Sequence, residues 1–164
     1  METKSTLVDN GVGQGVNITR IFDAPRALVF KMWTDPELVE KWWGPKDFTN
    51  PVCLLEPWVG GSMRIVMRGP DGMQYPTHGV FTKIVEPELI VFNNVKEGDD
   101  GSAQLEVENT VRFLEEDGKT KMIFRAVVLM STPDACQSVG GMNIGWNQSI
   151  DRLAENLQRL TGKN

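Results

Sequence analysis

One stretch near the C-terminus constrains the fold more than any other. Met142, Trp146, Ile150, Leu153, Leu157 and Leu160 recur at spacings of 4, 4, 3, 4 and 3. On an α-helix this rhythm stacks them along one side, while Asp151, Arg152, Glu155 and Arg159 fall away from the stripe. A helix so long and so one-sided must lay its apolar face on something broad. Gly140, Gly141 and Gly145 weaken its first turns, so the ordered helix is expected to start late or to bend there. Thr132-Pro133-Asp134 marks its start or the residues just before it.

The surface that receives this helix is read from the middle of the chain, where from Thr49 onward the hydrophobic period becomes two. In SMRIVMR (62–68), Met63, Ile65 and Met67 face one way and Arg64, Val66 and Arg68 the other. Further strands are predicted over 75–85, 89–95, 103–114 and 119–130. Pro70-Asp71-Gly72, Glu86-Pro87 and KEGDDG (96–101) punctuate them, and Glu115-Glu116-Asp117-Gly118 is a strong hairpin signal between the last two.

At the other end, GVNITRIF (15–22) is rich in β-branched residues and reads as a first strand. Asp23-Ala24-Pro25 stops it, with Asp23 or Ala24 as the expected cap of a helix that carries Leu28, Val29, Met32 and Trp33. Thr34-Asp35-Pro36 repeats the signal before a second short helix, ELVEKWW, closed by Gly44-Pro45. No internal repeat or linker divides the chain. The economical arrangement is α+β: a curved antiparallel sheet of about six or seven strands wrapped on the long helix. The space between helix and sheet is then the default binding site. Residues 15–162 are expected to form this one domain, and residues 1–14 a flexible polar tail.

Composition narrows the function classes. The net charge of −5 and a pI of about 4.9 argue against nucleic acid, which needs a dense Lys/Arg surface, and against anionic lipid. No apolar run approaches the roughly 20 residues that span a bilayer. The first residues lack the apolar core of a secretory signal, so a cytoplasmic protein is expected. Cys53 and Cys136 are far apart and read as reduced, inert thiols. With one histidine and two scattered cysteines, no metal site is implied, and no cofactor.

The runs APRALVFKMWTDPELVEKWWGP, GGSMRIVMRGPDGMQYPTHGVFTKIVEPELIVF, GKTKMIF and GWNQSIDRL resemble the bacterial, single-domain homologues of the activator of heat-shock chaperone ATPase. That family belongs to the START-like, or SRPBCC, superfamily. The resemblance runs from about residue 16 to 160 and rests on the ordered set of segments, not on one decisive motif. It implies a helix-grip fold of the Bet v type, with a cavity between the long helix, the sheet and the short helices. Superfamily members bind lipids, sterols, polyketides or plant hormones, and a few catalyse cyclisation or hydrolysis. The chain departs from many relatives, which carry an Asp and an Arg before the glycine pair. Here the stretch is Leu55-Glu56-Pro57-Trp58-Val59 before Gly60-Gly61. The eukaryotic activators also carry a second, chaperone-binding domain, for which this sequence leaves no room.

The expected ligand is therefore a small, mostly hydrophobic molecule, lipid-like or polycyclic. Met63, Ile65, Met67, Met122, Met130 and Met142 are read as inward-facing, and methionine walls adapt to varied apolar shapes. Phe92, Phe113, Phe124 and Trp146 would add fixed aromatic surface, with Tyr75, Asn93, Arg112 and Asn143 as polar contacts. In WWGPKDF (42–48), neighbouring side chains on a helix diverge by about 100°. Trp42, which shares a face with Val39, is assigned to the core, and Trp43 to the cavity mouth beside Trp58. Gly60-Gly61 reads as a tight turn where side chains do not fit. His78 is the one histidine. On an inward face it would orient a ligand or act as a base, and it is the weak catalytic candidate of an alternative reading as a cyclase or hydrolase. Otherwise it is a hydrogen-bonded structural residue. Glu56, Glu106, Glu108 and Asp151 are candidate acids, but no pair with divergent surroundings is visible. A chaperone-ATPase-interacting module is the third reading. The sequence suits a monomer or a homodimer.

Overall fold

The computed structural model describes residues 12–162, without the side chains of residues 136–138. The first eleven residues, most of the expected tail, lie outside the described residues, as does the side chain of Cys136. The elements follow the expected order. Strand β1 (Gly15–Phe22) leads to helices α1 (Arg26–Thr34) and α2 (Pro36–Trp42). Then come β2 (Thr49–Leu55), β3 (Ser62–Arg68), β4 (Gln74–Val85), β5 (Leu89–Glu97), β6 (Ala103–Glu116) and β7 (Lys119–Ser131). A 3-10 turn over Pro133–Ala135 precedes the long helix α3 (Cys136–Thr161).

The strands form one antiparallel sheet in the order β1-β7-β6-β5-β4-β3-β2. The β6–β7 hairpin closes through Asp117 (φ 53°) and Gly118 (φ 80°). Two successive left-handed residues make the turn whose twist matches that of the strands. Gly60 and Gly61 behave as expected. Gly60 sits at φ 86°, and a Cβ on Gly61 would lie 1.9 Å from the Glu56 carbonyl oxygen.

Local chemistry sets the two short helices. The Asp35 backbone N–H closes α1 on the Lys31 carbonyl, while its side chain accepts from the Glu37 N–H at 3.0 Å to open α2. Pro36 then occupies a first-turn position, where a missing N–H costs nothing. The N-cap of α1 is Pro25, with no side-chain cap, so neither Asp23 nor Ala24 takes that place. Helix α3 runs unbroken through its glycines and closes on Gly162 in the left-handed conformation. Tertiary packing outweighs the propensity cost of Gly140, Gly141 and Gly145.

The apolar stripe of α3 is not used evenly. Ile150, Leu153 and Leu157 are fully buried against the sheet and the short helices, whereas Met142 and Trp146 are half-buried and Leu160 is 52% exposed. Burying the three aliphatic side chains contributes about 1.5–3 kcal/mol each. Beneath them Met122, Phe92, Phe113 and Phe124 rise from the sheet, and Trp33 and Trp42 descend from the short helices. Trp33 and Trp42 meet edge-to-face with centroids 4.7 Å apart, and the Trp42 indole donates to the Met32 carbonyl at 2.8 Å. One expected inward residue departs. A bulge pairs Val107 with Val128 but Glu106 with Met130, which turns Met130 onto the outer face with Glu106.

Trp42→Ala removes a fully buried ring and orphans the Met32 carbonyl. It should destabilise the fold by about 3–5 kcal/mol in a urea titration.

Candidate functional site

The half-buried part of the α3 stripe lies over a cavity of about 320 Å³. One wall is the helix, through Gly141, Met142, Gly145, Trp146 and Ser149. The opposite wall is the sheet, through Met67, Tyr75, Thr77, Asn94, Lys96, Leu105 and Val107. The segment after α2 closes the rim with Trp43, Gly44, Pro45 and Phe48. The register explains the sheet wall. Thr77 pairs with Lys96 and Lys96 with Leu105, so these side chains share the inner face at adjacent positions.

Buried polar groups hold the rim in place. Helix α2 ends at Trp43 and leaves carbonyls without helical partners. Asn50 Nδ2 donates to Glu40 O at 3.0 Å and to Trp43 O at 2.8 Å. From α3, Arg152 donates through one nitrogen to the carbonyls of Trp43, Gly44 and Pro45, at 3.1, 2.9 and 3.0 Å. Its second nitrogen reaches Lys41 O at 3.3 Å. The Lys46 N–H adds a bond to Gln148 Oε1 at 3.0 Å. Gly44 sits at φ 98°, a conformation that favours glycine, and a Cβ there would lie 3.0 Å from Met67 Sδ, close enough that the flexible methionine would have to shift. Burial lowers the Arg152 pKa, opposed by Glu155 and Asp47. The guanidinium remains a cation that satisfies four carbonyls.

The polar lining is sparse. Thr77 Oγ1 donates to Ile65 O at 2.9 Å, and Ser149 Oγ donates to Gly145 O at 3.0 Å. Asn94 Oδ1 accepts from the buried Asn109 amide at 2.7 Å, which fixes its orientation. Lys96 Nζ stands 5.7 Å from the centroid of the Tyr75 ring, within cation–π range, and burial lowers its pKa. A second cleft, of about 570 Å³, shares Phe48 and is lined by Lys41, Arg68, Arg152 and Arg159 with Glu40. There Arg152 is already committed to backbone carbonyls.

Of the residues singled out from sequence, Trp43, Met67, Tyr75, Met142 and Trp146 come together in the cavity wall. Met63, Ile65, Phe92, Phe113 and Phe124 point the expected way but are consumed by the core beneath. Trp58 stands apart, 58% exposed in the β2–β3 loop. Asn93 reaches Glu106 Oε2 at 3.5 Å and Asn143 accepts from Asn147, so neither takes the polar role expected of it. Arg112 is exposed and is not in the lining. Trp43 is both core and wall. It is only 6% exposed, and its ring meets Trp42, Phe92 and Trp146 at 5.6, 6.1 and 5.2 Å.

His78 requires a correction. It pairs with Arg64, next to the inward Thr77, and so projects from the outer face of the sheet. There its Nδ1 lies 2.7 Å from Glu97 Oε2, which also pairs with Arg64. A base on this face cannot reach the cavity. The His78 hydrogen bond and the Arg64 charge hold the Glu97 carboxyl below its ordinary value of 4.5. Cys53 is a free thiol whose Sγ donates to Pro36 O at 3.6 Å; burial, then Glu40, pushes it up to about 11, which disfavours the reactive thiolate. Among the described residues, no His/Cys/Asp/Glu cluster could hold a metal and no helix is long and apolar enough to cross a membrane.

The family model described as "Activator of Hsp90 ATPase homolog 1-like protein" matches residues 23–158. The chain belongs to this family. Solved structures with the same fold include a protein from Mycobacterium smegmatis (26% identical, 87% of this chain and 90% of that one, TM-score 0.73). Another is from Arthrobacter aurescens (25% identical, 87% and 84%, TM-score 0.75). A third, from Nitrosomonas europaea (22% identical, 90% and 96%, TM-score 0.74), shows the fold alone. No curated protein matches the chain. The family's helix-grip architecture is the one described above.

Two outcomes test the site's electrostatics. Arg152→Met removes one donor from each of the carbonyls of Lys41, Trp43, Gly44 and Pro45. It should speed hydrogen exchange across residues 43–48 and destabilise the fold by about 1–3 kcal/mol. The Glu97 pKa is lower folded than unfolded, so its contribution is complete above 4.5 and is lost as pH falls through the folded value. The Tm gap between wild type and Glu97→Gln should therefore be largest near about pH 6 and shrink toward about pH 3.

Proposed function

We propose that this protein binds a small, mostly hydrophobic molecule in the cavity between α3 and the sheet. The observation that carries this reading is the space itself, kept open beside glycines in the interior of a helix. Each such glycine costs about 0.5–1 kcal/mol against alanine. A Cβ on Gly141 would meet nothing within 4 Å, and one on Gly145 only Pro45 Cγ at 3.9 Å. Side chains that would stabilise α3 are thus sterically admissible at both positions, and glycine leaves the volume empty. A mostly apolar wall with a few convergent polar groups is the usual make-up of a small-molecule site. Aromatic rings at fixed positions and adaptable methionines suit a lipid-like or polycyclic occupant.

The family's name supplies a second reading, contact with a chaperone ATPase, which a pull-down with an ATPase assay would test. The enzyme reading loses its motivating residue, since His78 faces away from the cavity.

Trp43 and Trp146 both line the cavity, so tryptophan emission reports its occupancy. Titrating the wild type with octan-1-ol should shift the emission saturably. Gly145→Met, whose flexible side chain fills the space, should raise the Tm and abolish the shift. An unresponsive wild type, or a Gly145→Met variant that responds equally, would overturn the proposal.

A further inference from the structure

A fully buried asparagine stands behind the sheet wall of the cavity. Asn109 is 0% exposed, on the inner face of β6 between Phe92 and Ala126 of the adjoining strands. Its amide oxygen has no hydrogen-bond partner, a cost that an aliphatic side chain there would avoid. Its amide nitrogen donates to Asn94 Oδ1 at 2.7 Å, to Phe92 O at 3.2 Å and to Val107 O at 3.4 Å. These contacts fix both amides. Phe92 O and Val107 O can only accept, so Asn109 must turn its nitrogen toward them, and that nitrogen requires the oxygen of Asn94. The Asn94 nitrogen is left over. Gly79 and Val107 flank Asn94 across the strands, and Phe92 and Lys96 lie two residues away along β5. None of the four has a side chain that can accept a hydrogen bond. Among the described residues, the amide of Asn94 is held through its oxygen alone.

Resting on the ligand-binding reading above, we infer that the cavity takes a neutral, mostly hydrophobic molecule with a carbonyl oxygen, as in a ketone, ester or lactone, which accepts from Asn94 Nδ2. Asn94 lines the cavity, so a donor that the protein itself does not use stands at the ligand's place. Asn109 is a positioning residue. It leaves its own oxygen unpaired and holds the Asn94 amide in one orientation. The other polar lining groups are occupied. Thr77 and Ser149 turn their hydroxyl protons onto Ile65 O and Gly145 O, and Lys96 is engaged at the Tyr75 ring. A preorganised donor in a mostly apolar wall orients the ligand and leaves recognition of the rest to shape. The size of the cavity limits the body. At roughly 30 Å³ per water-sized group, about 320 Å³ holds on the order of ten non-hydrogen atoms, the size of a one-ring ketone or a short ester.

The test compares propiophenone with propylbenzene, which share a carbon skeleton and differ in the carbonyl oxygen, on the full-length protein by calorimetry. Asn94→Leu, which keeps the shape of the side chain, should weaken propiophenone about five- to tenfold and leave propylbenzene within about twofold. The infrared carbonyl stretch of the bound ketone should lie below its value in hexane for the wild type. It should return toward that value in Asn94→Leu and in Asn109→Val. A wild-type stretch at the hexane value, a stretch that stays low in Asn94→Leu, or an affinity loss shared equally by both probes would overturn the carbonyl assignment and leave the cavity reading standing. An unchanged stretch in Asn109→Val would overturn the positioning role. Binding of neither probe would overturn the cavity reading, and this assignment with it. The wild-type stretch keeps the assignment open to refutation even if a variant does not fold.

Discussion

Everything in this molecule depends on how one long helix meets one curved sheet. From Ile150 to Leu157 the helix stripe is buried in one core with Phe92, Phe124, Met122 and the rings of Trp33 and Trp42. Toward Met142 the same stripe lifts off an open space. The difference is compositional as much as geometric. The sealed half presents large aliphatic groups at every inward turn, and the open half alternates Met142 and Trp146 with Gly141 and Gly145. A helix is rigid enough to bridge the gap, so anchoring one half holds the other over a cavity without collapsing into it.

Arg152 links the two halves. Placed on the polar side of the helix, it reaches across to the end of α2 and collects the carbonyls of Lys41, Trp43, Gly44 and Pro45. With Asn50 it turns the frayed end of a seven-residue helix into a fixed rim. The two adjacent tryptophans then divide along that rim. Trp42 is fully inside, hydrogen-bonded to Met32. Trp43 is packed on three aromatic rings and still presents surface to the cavity. It cannot be altered without touching both stability and the site.

The inward and outward faces of the sheet carry different chemistry, and the period-two alternation separates them. Lys96 and Glu97 are neighbours in sequence. One enters an apolar wall, and the other joins Arg64 and His78 on the outer face. The sequence contained that alternation, yet its absolute phase was not legible for β4. Tyr75, Pro76, Thr77 and His78 lack a clear apolar/polar contrast, so either face could have pointed inward. A bulge produced a similar uncertainty at Met130. One extra residue on β7 reverses the face beyond it, and nothing in KTKMIFRAVVLM marks where that residue falls.

By itself the sequence determined the element order, the antiparallel meander and the core role of Trp42. These follow from local periodicity, caps and turn residues, which act over a few positions and are written in the chain. The tertiary structure alone decided which inward residues remain beside open space and which are consumed by packing. Phe92, Phe113 and Phe124 have the same pattern signature as Met67 and differ only in what lies above them. It also decided that Lys96 belongs to the cavity and that Arg152 fastens its rim. Both depend on contacts between segments distant in sequence, where the deciding quantity is the distance across the fold and not the spacing along the chain.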